Sequence, residues 1–270
     1  MKMLPNFLGI GAPRCGTTWL HKLLEAHPDV FVPQIKEVHF FDRHLDKGID
    51  WYANHFDKVS DSTAVGEITP AYLYAEDAAT RIKEYLGDIR LIVILRNPAQ
   101  RAFSHYLNMI AHQRQAGRKQ DRSFQEMTQL EPRIIEEGFY CKLLRPYLSL
   151  FSRNNFLILF HDDVLQQPEA VWQEVCDYLA IDSGLIAPQQ LQAKVNTSRG
   201  RNGKYAAVYR LVRLLQRFGL FTAAERLEIL NQRNLPVMDH ALRQGLNQIY
   251  KEDIQQLERI CNKDLSCWFS

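Results

Sequence analysis

The chain has 270 residues, of which 46% are hydrophobic and 24% charged, with a formal net charge of +2. Such a composition belongs to a globular protein long enough to bury a real core, and the charge is too small to imply a nucleic-acid coat. No stretch approaches the roughly 18 consecutive apolar residues of a membrane span. The five cysteines are scattered without a Cys-x-x-Cys pair, which points to a reduced, cytoplasmic protein without structural zinc.

In chain order, FLGIG (7–11) is a short apolar run with a glycine exit, a buried strand rather than the core of a signal peptide. Thr17 to Ala26 has helical spacing, with Trp19, Leu20, Leu23 and Leu24 on one side. AVGEIT (64–69) and RLIVIL (90–95) are further strands, the second almost continuously apolar, as a central parallel strand is. Asn97 and Pro98 start a helix that runs to about Ala111. Residues 112–131 read as a polar, irregular surface excursion. FLILF (156–160) is another buried strand, followed by a helix near Glu169 to Leu179, and the last ninety residues read as mostly helical. Strands alternating with helices predict an α/β fold: one domain over 1–270, a central, mainly parallel sheet flanked by helices, and a helical C-terminal part. Ligands in such sheets bind outside the carboxyl ends of the strands.

GAPRCGTTWL (11–20) has the two glycines of a Walker A loop, Gly11 and Gly16, at the right spacing, followed by Thr17 and Thr18. The lysine that belongs after Gly16 is absent, and the nearest cation is Arg14. A strand, a glycine turn and a helix N-terminus direct backbone N–H groups and the helix dipole at an anion. A Walker lysine serves a β/γ-phosphate pair, so its loss argues against a triphosphate and for a shorter 5′ group.

This loop resembles the 5′-phosphosulfate loop of sulfotransferases that use 3′-phosphoadenosine 5′-phosphosulfate (PAPS), whose cytosolic members carry a Pro-Lys-Ser-Gly-Thr-Thr-Trp type of sequence; the tyrosylprotein enzymes have arginine where Arg14 stands. LIVILRNPAQRAFSHY (91–106) is similar to the family's 3′-phosphate motif, with Arg96 and Ser104 at the matching positions. PQIKEVHFFD (33–42) resembles the segment of heparan-sulfate-type sulfotransferases whose glutamate is taken as the catalytic base. Glu37 matches that glutamate, and His39 and Asp42 match further acceptor-side positions. GEITPAY (66–72) stands where those enzymes carry Glu-Lys-Thr-Pro; Glu67, Thr69 and Pro70 match, whereas Ile68 replaces the lysine. KVNTSRGRNGK (194–204) resembles the late loop over the cofactor, with Ser198, Arg199, Gly200 and Arg201 as candidates, and 253–268 resembles the family's final helix and Leu-x-x-Trp finish.

The resemblance implies a P-loop-like sulfotransferase. PAPS would be its cofactor, released as adenosine 3′,5′-bisphosphate, with no metal, and a small-molecule or glycan hydroxyl its acceptor. Arg14, Cys15, Gly16, Thr17, Thr18, Arg96 and Ser104 would hold the cofactor, with Trp19 against its adenine. Glu37 would be the general base; flanked by Val38, Phe40 and Phe41 it is expected to be partly desolvated and so a better proton acceptor, an effect that Lys36 opposes. In an extended segment His39 shares a face with Glu37, as a second base or a hydrogen-bond partner. Arg14 stays charged and stabilises the leaving phosphate without donating a proton. Asp42 and Glu67 would meet the substrate. The alternatives are a P-loop kinase or NTPase, or a non-catalytic nucleotide-binding protein. Separately, Arg210, Arg213 and Arg217 repeat at helical spacing, as a solvent-facing stripe or as a surface for an anionic glycan or lipid.

Overall fold

A computed structural model describes residues 3–59, 62–116, 121–192, 211 and 235–269. The late loop with Ser198, Arg199, Gly200 and Arg201, and the stripe of Arg210, Arg213 and Arg217, lie outside the described residues. The chain divides into two compact units, one of residues 1–97, 139–195 and 250–270, the other of 98–138 and 196–249.

The first unit is built on a five-stranded sheet of β1 (Phe7–Gly11), β2 (Val30–Phe31), β3 (Ala64–Ile68), β4 (Arg90–Leu95) and β5 (Phe156–Phe160). Its order is β2-β3-β1-β4-β5 and every pairing is parallel. β1, β3 and β5 are buried at every position, which is why they read as unbroken apolar runs. Helices α1 (Thr17–Ala26), α2 (Phe40–Arg43), α3 (Gly48–Ala53) and α4 (Ala78–Leu86) belong to this unit's first half. Glycines let the strands close up: a Cβ on Gly66 would stand 2.5 Å from the Phe7 carbonyl oxygen, so no other residue fits there. The chain leaves β1 toward β2 on one side and returns through β4 and β5 on the other. The order therefore reverses at the β1/β4 pair, where a doubly wound sheet opens a crevice.

α5 (Pro98–Gln115), α6 (Phe124–Leu130) and α7 (Arg133–Glu136) form the described first part of the second unit. Its interior holds the fully buried Arg101, which donates to Glu137 at 2.9 Å and to the Ile134 carbonyl. Phe103, Tyr106 and Phe124 pack against one another and line a cavity of about 680 Å³ in this unit. Two expectations change here. The helix begun at Pro98 runs four residues past Ala111, and the excursion expected over 112–131 contains α6. The Ser123 hydroxyl accepts from the Glu126 N–H while the Glu126 carboxylate accepts from the Ser123 N–H, a capping box that starts α6.

The remaining helices are α8 (Tyr140–Leu150), α9 (His161–Gln166), α10 (Pro168–Leu179), α11 (Pro188–Leu191) and α12 (His240–Cys261). In the first unit, both carboxylate oxygens of Asp253 accept backbone N–H groups of Cys141 and Lys142. This satisfies donors of the first turn of α8 that have no partner within the helix. Trp268 packs against Tyr140 and Phe160, donates to Asp162 at 2.9 Å, and offers its carbonyl to the Asn97 side chain at 2.7 Å. The Leu-x-x-Trp finish thus buttresses the carboxyl ends of β4 and β5.

Candidate functional site

The loop 12–16 leaves β1 as a run of turns. The Ala12 N–H donates to the Ile94 carbonyl at 2.9 Å, tying the loop to β4. Arg14 and Gly16 both have positive φ, 69° and 105°. Glycine adopts that conformation without cost, whereas Arg14 is held there by its surroundings at a cost of ~1–3 kcal/mol. Gly16 is the N-cap of α1, and no side chain caps that end; the first turn carries no acidic residue. The leading N–H groups of α1 have no partner within the helix, so the positive end of its dipole points into the crevice.

Arg96 follows β4 directly, and its Nη1 lies 3.5 Å from the Arg14 carbonyl oxygen. The two basic residues that the sequence separates by 82 positions thus adjoin at the β1/β4 switch point. Tyr140 ties them from below. Its hydroxyl donates to the Arg96 carbonyl at 2.9 Å and lies 3.6 Å from the buried Cys15 Sγ. Cys15 and Thr17 are buried, and Thr18 is half-buried. Cys15 supports the loop from within the core. Ser104 lies on α5, in the other unit, and is half-buried.

Trp19 departs from expectation. It is 6% exposed and its indole N–H donates to the Leu191 carbonyl at 2.9 Å. Its place is in the core between α1 and α11, not open to an adenine ring, because its indole N–H is taken by the last residue of α11.

The segment 36–42 lies at the carboxyl end of β3 and is not extended. Glu37 and His39 both take the left-handed conformation, with φ of 71° and 57°. They still meet: His39 Nε2 is 3.4 Å from Glu37 Oε2. Asp42 Oδ2 accepts from His39 Nδ1 at 2.9 Å, which fixes the ring and turns Nε2 toward Glu37. Lys36 Nζ donates to Glu37 Oε1 at 2.8 Å. The result is a chain of alternating partners, Lys36, Glu37, His39 and Asp42. Glu37 is 39% exposed, so the desolvation expected of it is not met, and Asp42 is 7% exposed and engaged with His39.

The desolvated carboxylate is Glu67 instead. It is the penultimate residue of β3, under this segment, and 1% exposed. It accepts from the Tyr72 hydroxyl at 2.6 Å, from Thr69 at 2.7 Å and from Tyr52 at 3.3 Å. Burial raises its pKa to about 7, against the opposing pull of those three hydroxyls and of His39. Glu67 was expected to meet a substrate; both its oxygens are taken by the chain's own hydroxyls. Ile68, in the position of the missing lysine, is core: a Cβ on Gly9 would come within 2.7 Å of it.

One group of the crevice is missed by sequence reasoning. His161 begins α9 just beyond β5, and its ring lies 3.3 Å from where a Cβ on Gly16 would stand. Burial, and then the neighbouring Arg96 charge, lower its pKa to about 4, so it is neutral at pH 7. The signal was available: His161 follows FLILF as Arg96 follows RLIVIL, at the carboxyl end of a parallel strand. Among the described residues, no group of three or more His, Cys, Asp and Glu could hold a metal ion.

The comparisons with known proteins bear on this arrangement. Heparan sulfate glucosamine 3-O-sulfotransferase 3B1 of Homo sapiens is 30% identical over 184 residues, which are 67% of this chain and 47% of that protein. The membrane-associated sulfotransferase kil1 of Dictyostelium discoideum is 37% identical over 106 residues, 38% of this chain and 22% of that one. The chain thus spans about half, or less, of the curated relatives it matches. A crystal structure of a sulfotransferase from Alicyclobacillus acidocaldarius shares the fold, with a TM-score of 0.72 at 24% identity over 99% of this chain and 100% of that one. The family described as Sulfotransferase domain matches residues 4–257, and with the loop, the strand-end arginine and the sheet order in place, the chain belongs to the sulfotransferase domain family.

Proposed function

We propose that the chain moves the sulfuryl group of PAPS to an acceptor hydroxyl. The observation that carries this reading is the contact of Arg96 with the Arg14 carbonyl, beside an α1 N-terminus that no side chain caps. Two cradles this close suit one ligand with an anion at each end. The fit is chemical as well: Gly16, Thr17 and Thr18 offer N–H and O–H donors, Arg14 and Arg96 offer forked donors, and no carboxylate caps the helix. PAPS supplies an activated sulfuryl group with a phosphate as leaving group.

The chain's own residues then do three things. The backbone of 16–18 and Arg14 hold the 5′ phosphate and neutralise charge as it builds there. Arg96 holds the 3′ phosphate; the resemblance adds Ser104 on sequence grounds. Glu37 takes the acceptor's proton, and His39, fixed by Asp42, shares it at Nε2. Lys36, 2.8 Å from Glu37, supplies a cation on the acceptor side, where Ile68 replaces the lysine of the heparan-sulfate enzymes. The relatives named for heparan sulfate make a glycan hydroxyl the first acceptor class to try. No helix among the described residues is long and apolar enough to cross a membrane.

Calorimetry with adenosine 3′,5′-bisphosphate tests the reading. The parent should bind it, and Arg14→Ala or Arg96→Ala should each weaken binding about 10- to 100-fold, the value of a lost charge-assisted contact. A parent that ignores the bisphosphate and turns over magnesium-ATP would replace the reading with a P-loop kinase or NTPase.

A further inference from the structure

We propose that Glu67 is the positioning residue for the Glu37–His39 pair: acting through the Tyr72 and Thr69 hydroxyls, it holds the backbone turn that aims both side chains. This deepens, and rests on, the reading of Glu37 and His39 as the proton-handling pair.

The geometry is a two-armed relay. The Tyr72 hydroxyl donates to Glu67 Oε1 at 2.6 Å and accepts the Phe40 N–H at 2.9 Å. The Thr69 hydroxyl donates to Glu67 Oε2 at 2.7 Å and accepts the His39 N–H at 3.3 Å. A hydroxyl has one proton, so donating it to Glu67 turns the oxygen lone pairs toward the backbone N–H groups. Each arm therefore depends on Glu67 being an acceptor at both oxygens, which is the ionised state.

The turn needs such a hold. Glu37 and His39 both lie at positive φ, in a segment with no glycine to relieve the strain. Left-handed backbone at non-glycine residues persists only where its surroundings over-determine it. Here they do so through Glu67, since the His39 and Phe40 N–H groups donate to these two hydroxyls, which Glu67 orients.

The relay is sensitive to pH. The titratable groups facing Glu67 are Tyr52 of α3, Tyr72 of the 70–74 turn and His39; burial pushes both tyrosines above their ordinary range, so they stay protonated donors. Glu67, with its pKa near 7, is the member that changes state. Once it is protonated, one carboxyl oxygen carries its own proton and competes with an incoming hydroxyl. One arm must then turn away from its N–H. The Glu37–His39 pair is held on the alkaline side of that transition and loosened on the acid side.

The test is the amide resonance of Phe40 in protein labelled with 15N-phenylalanine, assigned by its loss in Phe40→Leu and followed from about pH 5 to about pH 9. In the parent it should titrate with a midpoint near 7. Glu67→Gln should abolish that titration, and Glu67→Asp should retain one. Tyr72→Phe, which keeps the ring, should uncouple the Phe40 amide while Glu67 stays in place, so the inference remains testable if Glu67→Gln folds poorly. A purely structural Glu67 would lower stability in these variants without giving the amide a pH midpoint. An amide that does not titrate in the parent, or titrates equally in Glu67→Gln and Tyr72→Phe, overturns the inference. Adenosine 3′,5′-bisphosphate affinity, measured in parallel, should stay within about two-fold in Glu67→Gln. A parent that fails to bind the bisphosphate would sink the nucleotide reading and leave the amide titration standing.

Discussion

Replacing Glu67 with glutamine and, separately, His161 with phenylalanine should tilt the pH dependence of stability in opposite directions. Glu67 has a folded-state pKa raised from 4.5 to about 7, chiefly by burial. A raised value means that the folded state holds its proton more tightly than the unfolded chain. The associated stability is full below the unfolded value of 4.5 and is lost as pH rises through about 7. At about 1.36 kcal/mol per pH unit, the loss amounts to about 3 kcal/mol. His161 is the mirror case, lowered from 6.5 to about 4 by burial and by Arg96. Its stability is full above 6.5 and is lost as pH falls toward 4, again by about 3 kcal/mol. In the parent the two trends offset each other between pH 4.5 and 6.5, so each substitution exposes the other. Thermal melts of parent and variants read this directly. For a chain of 270 residues, 3 kcal/mol corresponds to about 5 °C in Tm. The Tm of Glu67→Gln minus that of the parent should rise by about 5 °C from acid to alkaline pH, whatever constant offset its lost hydrogen bonds impose. The same difference for His161→Phe should rise by about as much from neutral pH down to about 4. Differences that stay flat with pH, or slope the same way in both variants, would refute the assignment of these two buried groups.

Glu37→Ala should abolish sulfuryl transfer from PAPS while bisphosphate affinity, measured by calorimetry, is kept; transfer at the parent rate would remove Glu37 as the base. Tyr140→Phe leaves the Arg96 carbonyl without the hydroxyl 2.9 Å away and should cost about 1–3 kcal/mol in urea unfolding. Because that hydroxyl also touches Cys15 in the loop, the same variant should bind bisphosphate several-fold more weakly. Trp268→Ala empties a buried site against Tyr140 and Phe160 and should destabilise by about 3–5 kcal/mol; an unchanged urea midpoint would mean that the C-terminal turn does not brace the strand ends.

Much of this protein is legible in its sequence because the relevant signals are local. FLGIG, RLIVIL and FLILF are short apolar runs, so they read as buried strands, and each lies where its run does. The glycine-bounded loop is legible from its spacing, and the arginine after β4 from the resemblance of its motif. The capping box of Ser123 and Glu126 was equally local, and the polar composition of 112–131 masked it.

What spacing does not carry is which groups the fold brings together and which it buries. Arg14 and Arg96 adjoin only because β1 and β4 are neighbours at the point where the strand order reverses. Glu37 and His39 meet through two left-handed residues rather than through the alternation of an extended strand. Trp19 and Glu67, expected to meet the adenine and the substrate, are both buried, one against α11 and the other beneath the 36–42 segment. Burial depends on contacts among Thr69, Tyr72, Tyr52 and Glu67, which converge from β3, α3 and the 70–74 turn, and it is burial that makes one carboxylate titrate near neutrality while another stays half-exposed. Local residue patterns determine strands, turns and the kinds of chemistry on offer; the tertiary packing decides the dielectric and the neighbours in which that chemistry operates.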